Sequence, residues 1–248
     1  MEIAYQTDIG QEREDNQDYV GVFTNQDQLT FAIVADGIGG HQGGDVASSM
    51  AVSHIGYHFE QTTFKNPMDA VRWLSDQVRI ENEKIIDKSN QFKDLNGMGT
   101  TMVAAIFFDD QMVVANIGDS RGYLRRNGEL NQLTEDHSLV NELVKRGVIT
   151  EQEAKTHPQK NIITRTLGIS PDADIDINLY QLESSDQLLL CTDGLSNMVS
   201  NQQLDDVLKS DQTLAEKCQQ LIKMANETGG PDNITVLIAD NAQEVDDK

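Results

Sequence analysis

Three apolar segments of this chain stop on an aspartate, and a fourth starts from one. FAIVADG halts at Asp36 before Gly37, QLLLCTDG halts at Asp193 before Gly194, and MVVANIGD halts at Asp119 after Gly118. In PDNITVLIAD the order reverses, and Asp232 precedes the apolar run. Each run has the length and β-rich composition of a strand. A strand that begins where its antiparallel neighbours end sets its first residues beside their last ones. The pattern therefore predicts that Asp36, Asp119, Asp193 and Asp232 meet at one rim of a sheet system. That is a severe constraint, because burying an unpaired carboxylate costs several kcal/mol and like charges raise one another's pKa.

One Asp-Gly after a strand is ordinarily a turn, and turns alone stay the competing account of these residues. A divalent cation resolves the electrostatic conflict. A donor set made of carboxylates suits hard Mg²⁺ or Mn²⁺ better than Zn²⁺. Glycine beside Asp36 and Asp193 also lets the backbone come close enough for a carbonyl to act as a ligand.

The remaining strand-like runs are EIAYQT, YVGVF, TTMVAAIFF, RGYLRR and DIDINLYQL. Short turns such as DDQ and RNGE predict antiparallel pairing. Helical spacing occurs over 43–59, where Ala47, Ala51, Ile55 and Phe59 recur every fourth residue. It occurs again over 66–87, where Asn66 and Pro67 suit the N-cap and first helical positions. Val71, Leu74, Val78 and Ile85 share one face of that second helix. Shorter helices are expected over 137–146, 151–156, 201–209 and 212–226. Strand runs with segregated helices predict an α+β fold rather than an alternating α/β one. With no repeat and no low-complexity linker, one domain over 1–240 is expected, followed by an acidic, disordered tail at 241–248.

Composition narrows the function. The 248 residues are 38% hydrophobic, enough for a sizeable core. No apolar run approaches the roughly 18 residues of a membrane helix, and the N-terminus lacks a signal segment. Two cysteines, Cys191 and Cys218, fit a reducing compartment. A soluble, cytoplasmic protein is the expectation. The formal charge of −22 disfavours nucleic acid and anionic membranes as partners. It also obliges any anionic substrate to find local positive charge. A cysteine phosphatase needs Cys-x5-Arg, but Asn197 and Met224 stand at the sixth positions after Cys191 and Cys218. Neither GxGxxG nor a P-loop is present. His54 and His58 read as a solvated or core-edge pair, and His137 and His157 as structural or surface residues.

Arg13 to Asp18 (RxxNQD), VADGIGGHQGG (34–44), GTT (99–101), NIGDSR (116–121), DHS (136–138), TRTLG (164–168), CTDGL (191–195) and GPDNITV (230–236) together resemble the type 2C, metal-dependent serine/threonine protein phosphatases, the short bacterial members above all. The resemblance implies a four-layer α-β-β-α sandwich of two antiparallel sheets flanked by helices. It implies two Mn²⁺ or Mg²⁺ ions and a weaker third. Asp36 resembles the carboxylate that bridges the pair, Gly37 the residue whose carbonyl binds one ion, and Asp193 and Asp232 the ligands of the other. Asp119 with Asp193 matches the third position. Arg13 matches the phosphate-binding arginine, and Asp18 an acid that orients the attacking water. Higher-organism members carry a histidine directly after the first Asp-Gly, where Ile38 stands here. His41, two glycines later as in the bacterial form, matches the residue proposed there as general acid. The resemblance further implies a flap over 137–165, phosphorylated protein substrates, a cognate serine/threonine kinase and a monomer. Hydrolysis of another phosphoester, or a catalytically dead interaction domain, are the rival readings; the latter would be expected to lose a metal aspartate, and none is missing.

Overall fold

Strand alternation sets the architecture. The computed structural model describes residues 1–39 and 43–241. In it, β3 (Thr30–Ile38) sends Phe31, Ile33 and Ala35 into one hydrophobic cluster and Ala32 and Val34 into another. A period of two is the pleat of a strand buried on both faces. The first cluster packs against α1 (Gly43–Glu60) and α2 (Pro67–Gln91). The second lies between two sheets, where Val34 and Val103 share a layer with Leu188, Leu190 and Leu237.

One sheet has the order β2 (Asp18–Thr24), β3, β5 (Met102–Phe107), β6 (Gln111–Ile117), β9 (Asp176–Gln181), with β4 (Gly99–Thr100) paired to β3. The other has the order β1 (Glu2–Asp8), β11 (Ile234–Asp240), β10 (Gln187–Cys191), β7 (Arg121–Arg126), β8 (Glu129–Gln132). All the strand pairs are antiparallel. On the outer face of the second sheet, Leu189, Cys191, Val236 and Ile238 meet α6 (Asn201–Leu208) and α7 (Leu214–Glu227) through Leu204, Leu208, Leu221 and Ala225. Helices, sheet, sheet and helices make the expected four-layer α+β sandwich.

Local chemistry explains the boundaries. Asn66 caps α2 by accepting from the Asp69 N–H at 3.2 Å, with Pro67 in its first turn. Thr213 caps α7 in a reciprocal box with Glu216. Asn127 and Gly128 both have positive φ, +52° and +83°, and close the β7–β8 hairpin. Two short helices, α3 (Leu139–Lys145) and α4 (Glu151–Ala154), occupy the stretch between β8 and β9. His54, on α1, places Nδ1 2.7 Å from the buried carboxylate of Glu81 on α2, so this core-edge histidine joins the two helices.

Three local features depart from the sequence pattern, the first being that β3 runs two residues past Asp36, to Ile38, where it pairs with β4. The run TTMVAAIFF divides into β4 and β5 at Thr101: its N–H donates in register to the Asp36 carbonyl at 2.9 Å, but the Asp36 N–H returns to the Thr101 hydroxyl at 3.0 Å. Asp193 opens a single helical turn, α5 (Asp193–Ser196), too short to leave a periodic signal. The acidic tail beyond Asn241 lies outside the described residues.

Gly194 sits in α5 with no room for a side chain. A Cβ there would be driven into the Asn233 carbonyl, on the backbone that leads from Asp232 into β11. Gly194→Ala is expected to cost roughly 1–3 kcal/mol, the scale of overpacking, visible as a lower urea midpoint at unchanged m-value.

Candidate active site

The register of β2 against β3 sets Asp18 opposite Asp36 at the end of the first sheet. In the second sheet, β10 runs antiparallel to β11, and the Thr192 N–H donates to the Thr235 carbonyl at 3.1 Å. Asp193 therefore leaves β10 beside the start of β11, where Asp232 stands, as the reversed motif predicts. The sheets bring their aspartate ends to one rim.

Asp36 is fixed through its backbone. Its N–H donates to Thr101 Oγ1 at 3.0 Å, and its carbonyl accepts from the Thr100 hydroxyl at 2.8 Å. Thr101 Oγ1 is in turn 2.8 Å from Ser120 Oγ, next to Asp119. Gly37 donates its N–H to the Gln17 carbonyl at 3.1 Å. A side chain at Gly37 would strike both that carbonyl and the Gly44 carbonyl of α1, so only glycine lets these backbones meet.

Asp18 ties the two sheets together. Its Oδ2 accepts from the Thr192 hydroxyl at 2.9 Å and the Thr235 hydroxyl at 2.7 Å, both from the opposite sheet. Its Oδ1 is buried and has no hydrogen-bond partner. Asp119 Oδ1 is likewise buried without a partner. Asp232 Oδ1 accepts from the Asn233 N–H at 2.9 Å, while its Oδ2 receives Arg13 NH2 at 2.7 Å. The same guanidinium donates through Nε to the Pro231 carbonyl at 3.2 Å, and its side chain is 54% exposed. Arg13 thus hangs over the rim with donors free toward solvent. His41 lies outside the described residues.

Electrostatics record the crowding. Burial, first of all, raises Asp18 to about 7, and the Asp193 and Asp232 charges add to it against the two threonine hydroxyls. Asp119 rises to about 7, again through burial, then through Asp193 and Asp136, with Arg121 opposing. Asp193 rises to about 6 through burial and Asp232, relieved by Arg121, a hydrogen bond with Asp36 and Arg13. Asp36 is pushed well above the carboxylate range by burial and by the charges of Asp18, Asp193, Asp119 and Asp232. The four aspartates of the sequence pattern and Asp18 form one interacting group.

Sequence reasoning missed the residues that hold this group in place. Thr192 and Thr235 flank the motif aspartates, and their adjacency in TDG and DNIT was the available signal. Asn233 was passed over although its side chain pins the 9–17 loop: it accepts from the Gln17 N–H at 2.8 Å and donates to the Ile9 and Asp15 carbonyls at 2.9 and 3.0 Å. Arg121 is held by Asp136 through three contacts of 2.6–3.1 Å and by Tyr123.

Among the described residues, no three His, Cys, Asp or Glu side chains close on a single point as a ready-made metal cage. The donor chemistry still fits a hard divalent cation. Every side-chain donor is a carboxylate, two oxygens are buried without partners, and a cation is what draws mutually repelling carboxylates together.

The family model described as protein phosphatase 2C matches residues 9–237. The chain belongs to the protein phosphatase 2C family. Members of that family are metal-dependent protein phosphatases. The chain is 47% identical over 241 residues to the serine/threonine phosphatase stp of Listeria monocytogenes, spanning 97% of this chain and 96% of that one. It superposes on the S. agalactiae serine/threonine phosphatase with a TM-score of 0.92 at 44% identity, over 96% of this chain and 98% of that one. The catalytic domain of the phosphatase PstP, solved in complex with two manganese ions, superposes at 0.86 with 34% identity over 98% of each chain. These likenesses agree with the sandwich and with divalent metal use by the family.

The raised carboxyl groups fix the sign of a pH dependence. Asp18, Asp119 and Asp193 keep their protons in the folded chain up to pH 6 or 7, whereas the unfolded chain loses them near 3.8. Their contribution to stability is complete below pH 4 and is lost as pH rises through 6 to 7. In chelator, the urea midpoint should fall across that window, and Asp18→Asn should flatten the fall. Mn²⁺ should raise the midpoint more at pH 7.5 than at pH 5.

Proposed function

We propose that this chain hydrolyses phosphoserine and phosphothreonine esters in proteins at a binuclear Mn²⁺ or Mg²⁺ centre, and so opposes serine/threonine kinases. The observation that carries this reading is the convergence of Asp18, Asp36, Asp119, Asp193 and Asp232 from two sheets on one rim, with two of their oxygens buried and unpartnered. Asp36 would bridge the ions, the Gly37 carbonyl would hold one, and Asp193 with Asp232 the other. Asp119, with Asp193, would hold a weaker third. When bound, the cations supply the Lewis acidity that lowers the pKa of an attacking water and offsets charge on the phosphoryl oxygens.

The chain's own residues do the rest. Arg13 grips two phosphoryl oxygens through its planar fork and aligns phosphorus for in-line attack. Asp18 keeps Oδ2 on the two threonine hydroxyls and offers Oδ1 to the attacking water, orienting its lone pair. His41 donates a proton to the departing seryl or threonyl oxygen. The stretch 137–165 acts as the flap of a single catalytic domain over 1–240. No helix among the described residues is long and apolar enough to cross a membrane, which accords with a cytoplasmic setting.

Turnover of a phosphothreonine peptide and of p-nitrophenyl phosphate should require Mn²⁺ or Mg²⁺; undiminished activity after exhaustive chelation would end this reading. Asp36→Ala should abolish turnover at any attainable Mn²⁺. Arg13→Ala should lower kcat/KM about 10- to 100-fold, the worth of hydrogen bonds to a charged group, mainly through KM. Calorimetry should find its metal stoichiometry unchanged.

Asp119→Ala separates the outer ion from the pair. It should fold normally, bind two Mn²⁺ by calorimetry and turn over slowly with a raised Mn²⁺ requirement. Wild-type stoichiometry and rate would remove Asp119 from the site.

A further inference from the structure

Gly118 precedes Asp119 and has no side chain by which to be held. Its φ is +108°, a left-handed conformation, and a Cβ would strike Thr101. Its orientation therefore depends on its two backbone polar groups. His137 binds both. The His137 N–H donates to the Gly118 carbonyl at 2.9 Å, and the Gly118 N–H donates to His137 Nδ1 at 3.1 Å.

That bond and the Asp176 carboxylate at the other ring nitrogen together fix the tautomer. Nδ1 accepts, so the ring proton is on Nε2, which donates to Asp176 Oδ2 at 3.1 Å. Asp176 opens β9 and lies opposite Asn116 of β6, two residues before Gly118. Arg165 NH1 holds the other carboxylate oxygen of Asp176 at 3.3 Å. The imidazole is only 5% exposed and is braced at both nitrogens.

His137 also gathers the segment that follows it. Its carbonyl accepts from the Thr164 N–H at 2.8 Å, and Ser138 bridges to Ile163. The entry and exit of the stretch that contains α3 and α4 thus converge on the residue that clamps Gly118. Entry into α3 explains Ser138, which caps that helix. It does not explain a buried imidazole directed at the opposite strand end.

We propose that His137 is a positioning residue for Asp119: its Nε2-protonated imidazole clamps Gly118, aims the Asp119 carboxylate at the outer cation position, and anchors the 139–163 stretch to that position. This rests on the reading of Asp119 as a cation ligand. His137 touches neither substrate nor reacting atoms; it acts through the backbone.

The test compares His137→Leu, which removes both ring bonds, with His137→Asn, whose Oδ1 can replace Nδ1 as the acceptor for Gly118. In metal-depleted protein, amide exchange at Gly118 should be about tenfold faster in His137→Leu, the worth of one hydrogen bond, and should stay within about threefold of wild type in His137→Asn. Calorimetric Mn²⁺ titration should show the weakest binding event loosened about tenfold in His137→Leu, with the paired ions retained, and largely recovered in His137→Asn. Equal loss in both variants, following their urea midpoints, would mean a merely structural histidine and overturn the proposal. So would a folded His137→Leu with wild-type exchange and metal binding. Asp119→Ala is titrated in parallel. If it loses the weak event and His137→Leu keeps it, His137 alone is refuted; if it changes nothing, both readings fall. Should His137→Leu not fold, Asp176→Ala keeps the imidazole but removes the acceptor of its Nε2–H, leaving the Arg165 NH1 donor 3.4 Å from Nε2 to favour the Nδ1–H tautomer, which cannot accept from Gly118. Unchanged ¹⁵N shifts of the ring and unchanged weak Mn²⁺ binding in that variant would overturn the clamp, whereas loss of the Nε2–H tautomer with weakened binding would support it.

Discussion

Mutual repulsion among crowded, partly buried carboxylates is the constraint around which this molecule is arranged. Left to themselves, five aspartates would turn toward water. They stay together because their main chain is pinned: Asp36 by Thr100 and Thr101, Gly37 by Gln17, and the loop that carries Arg13 by Asn233. Behind them the inter-sheet layer of Ala32, Val34, Val103, Leu190 and Leu237 is fully buried, so the strands cannot slide apart to relieve the charge. The sandwich is a rigid mount for an electrostatically unfavourable rim.

The two sheets meet chemically at Asp18. Its carboxylate belongs to β2, yet both hydroxyls that hold it come from residues flanking the opposite sheet's motif aspartates. A displacement of one sheet against the other would break these bonds in a buried place, where an unmet polar group costs about 1–3 kcal/mol. The seam between the sheets and the site are thus the same set of contacts.

Much of this was legible in the chain itself. Apolar runs that stop on Asp36 and Asp193, with Asp232 reversed just before β11, declare the rim because antiparallel pairing leaves them nowhere else to go. Ala47, Ala51, Ile55 and Phe59 declare the buried face of α1. What escaped were features without a period. One turn of helix at Asp193 is shorter than any repeat. The break at Thr101 falls where its hydroxyl takes the N–H of Asp36, sixty-five residues away in sequence. The threonine hydroxyls on Asp18 escaped for the same reason, since a donor from the other sheet leaves no local trace. Asp18 itself came only from family likeness, because it begins a strand rather than ending one.

The choice of donors bears on what the rim is for. Elsewhere the chain pairs carboxylates with cations: Arg126 with Asp186, Arg125 with Asp205, Lys84 with Glu81. At the rim the holding groups are mostly neutral: the Thr192 and Thr235 hydroxyls and the Asn233 N–H hold carboxylates, while Thr100 and Thr101 hold the backbone of Asp36. A neutral donor fixes a carboxylate without cancelling its charge, whereas an internal cation on each aspartate would have satisfied them all and left nothing for an exchangeable ion to bind. The two arginines that do approach are placed at the margins. Arg121 is already bound to Asp136 and Tyr123, so it only moderates the charge at Asp119 and Asp193. Arg13 is exposed and can turn outward. In a chain of net charge −22, this leaves negative charge concentrated where divalent cations would reverse its sign, which is the condition for an anionic phosphoester to approach at all.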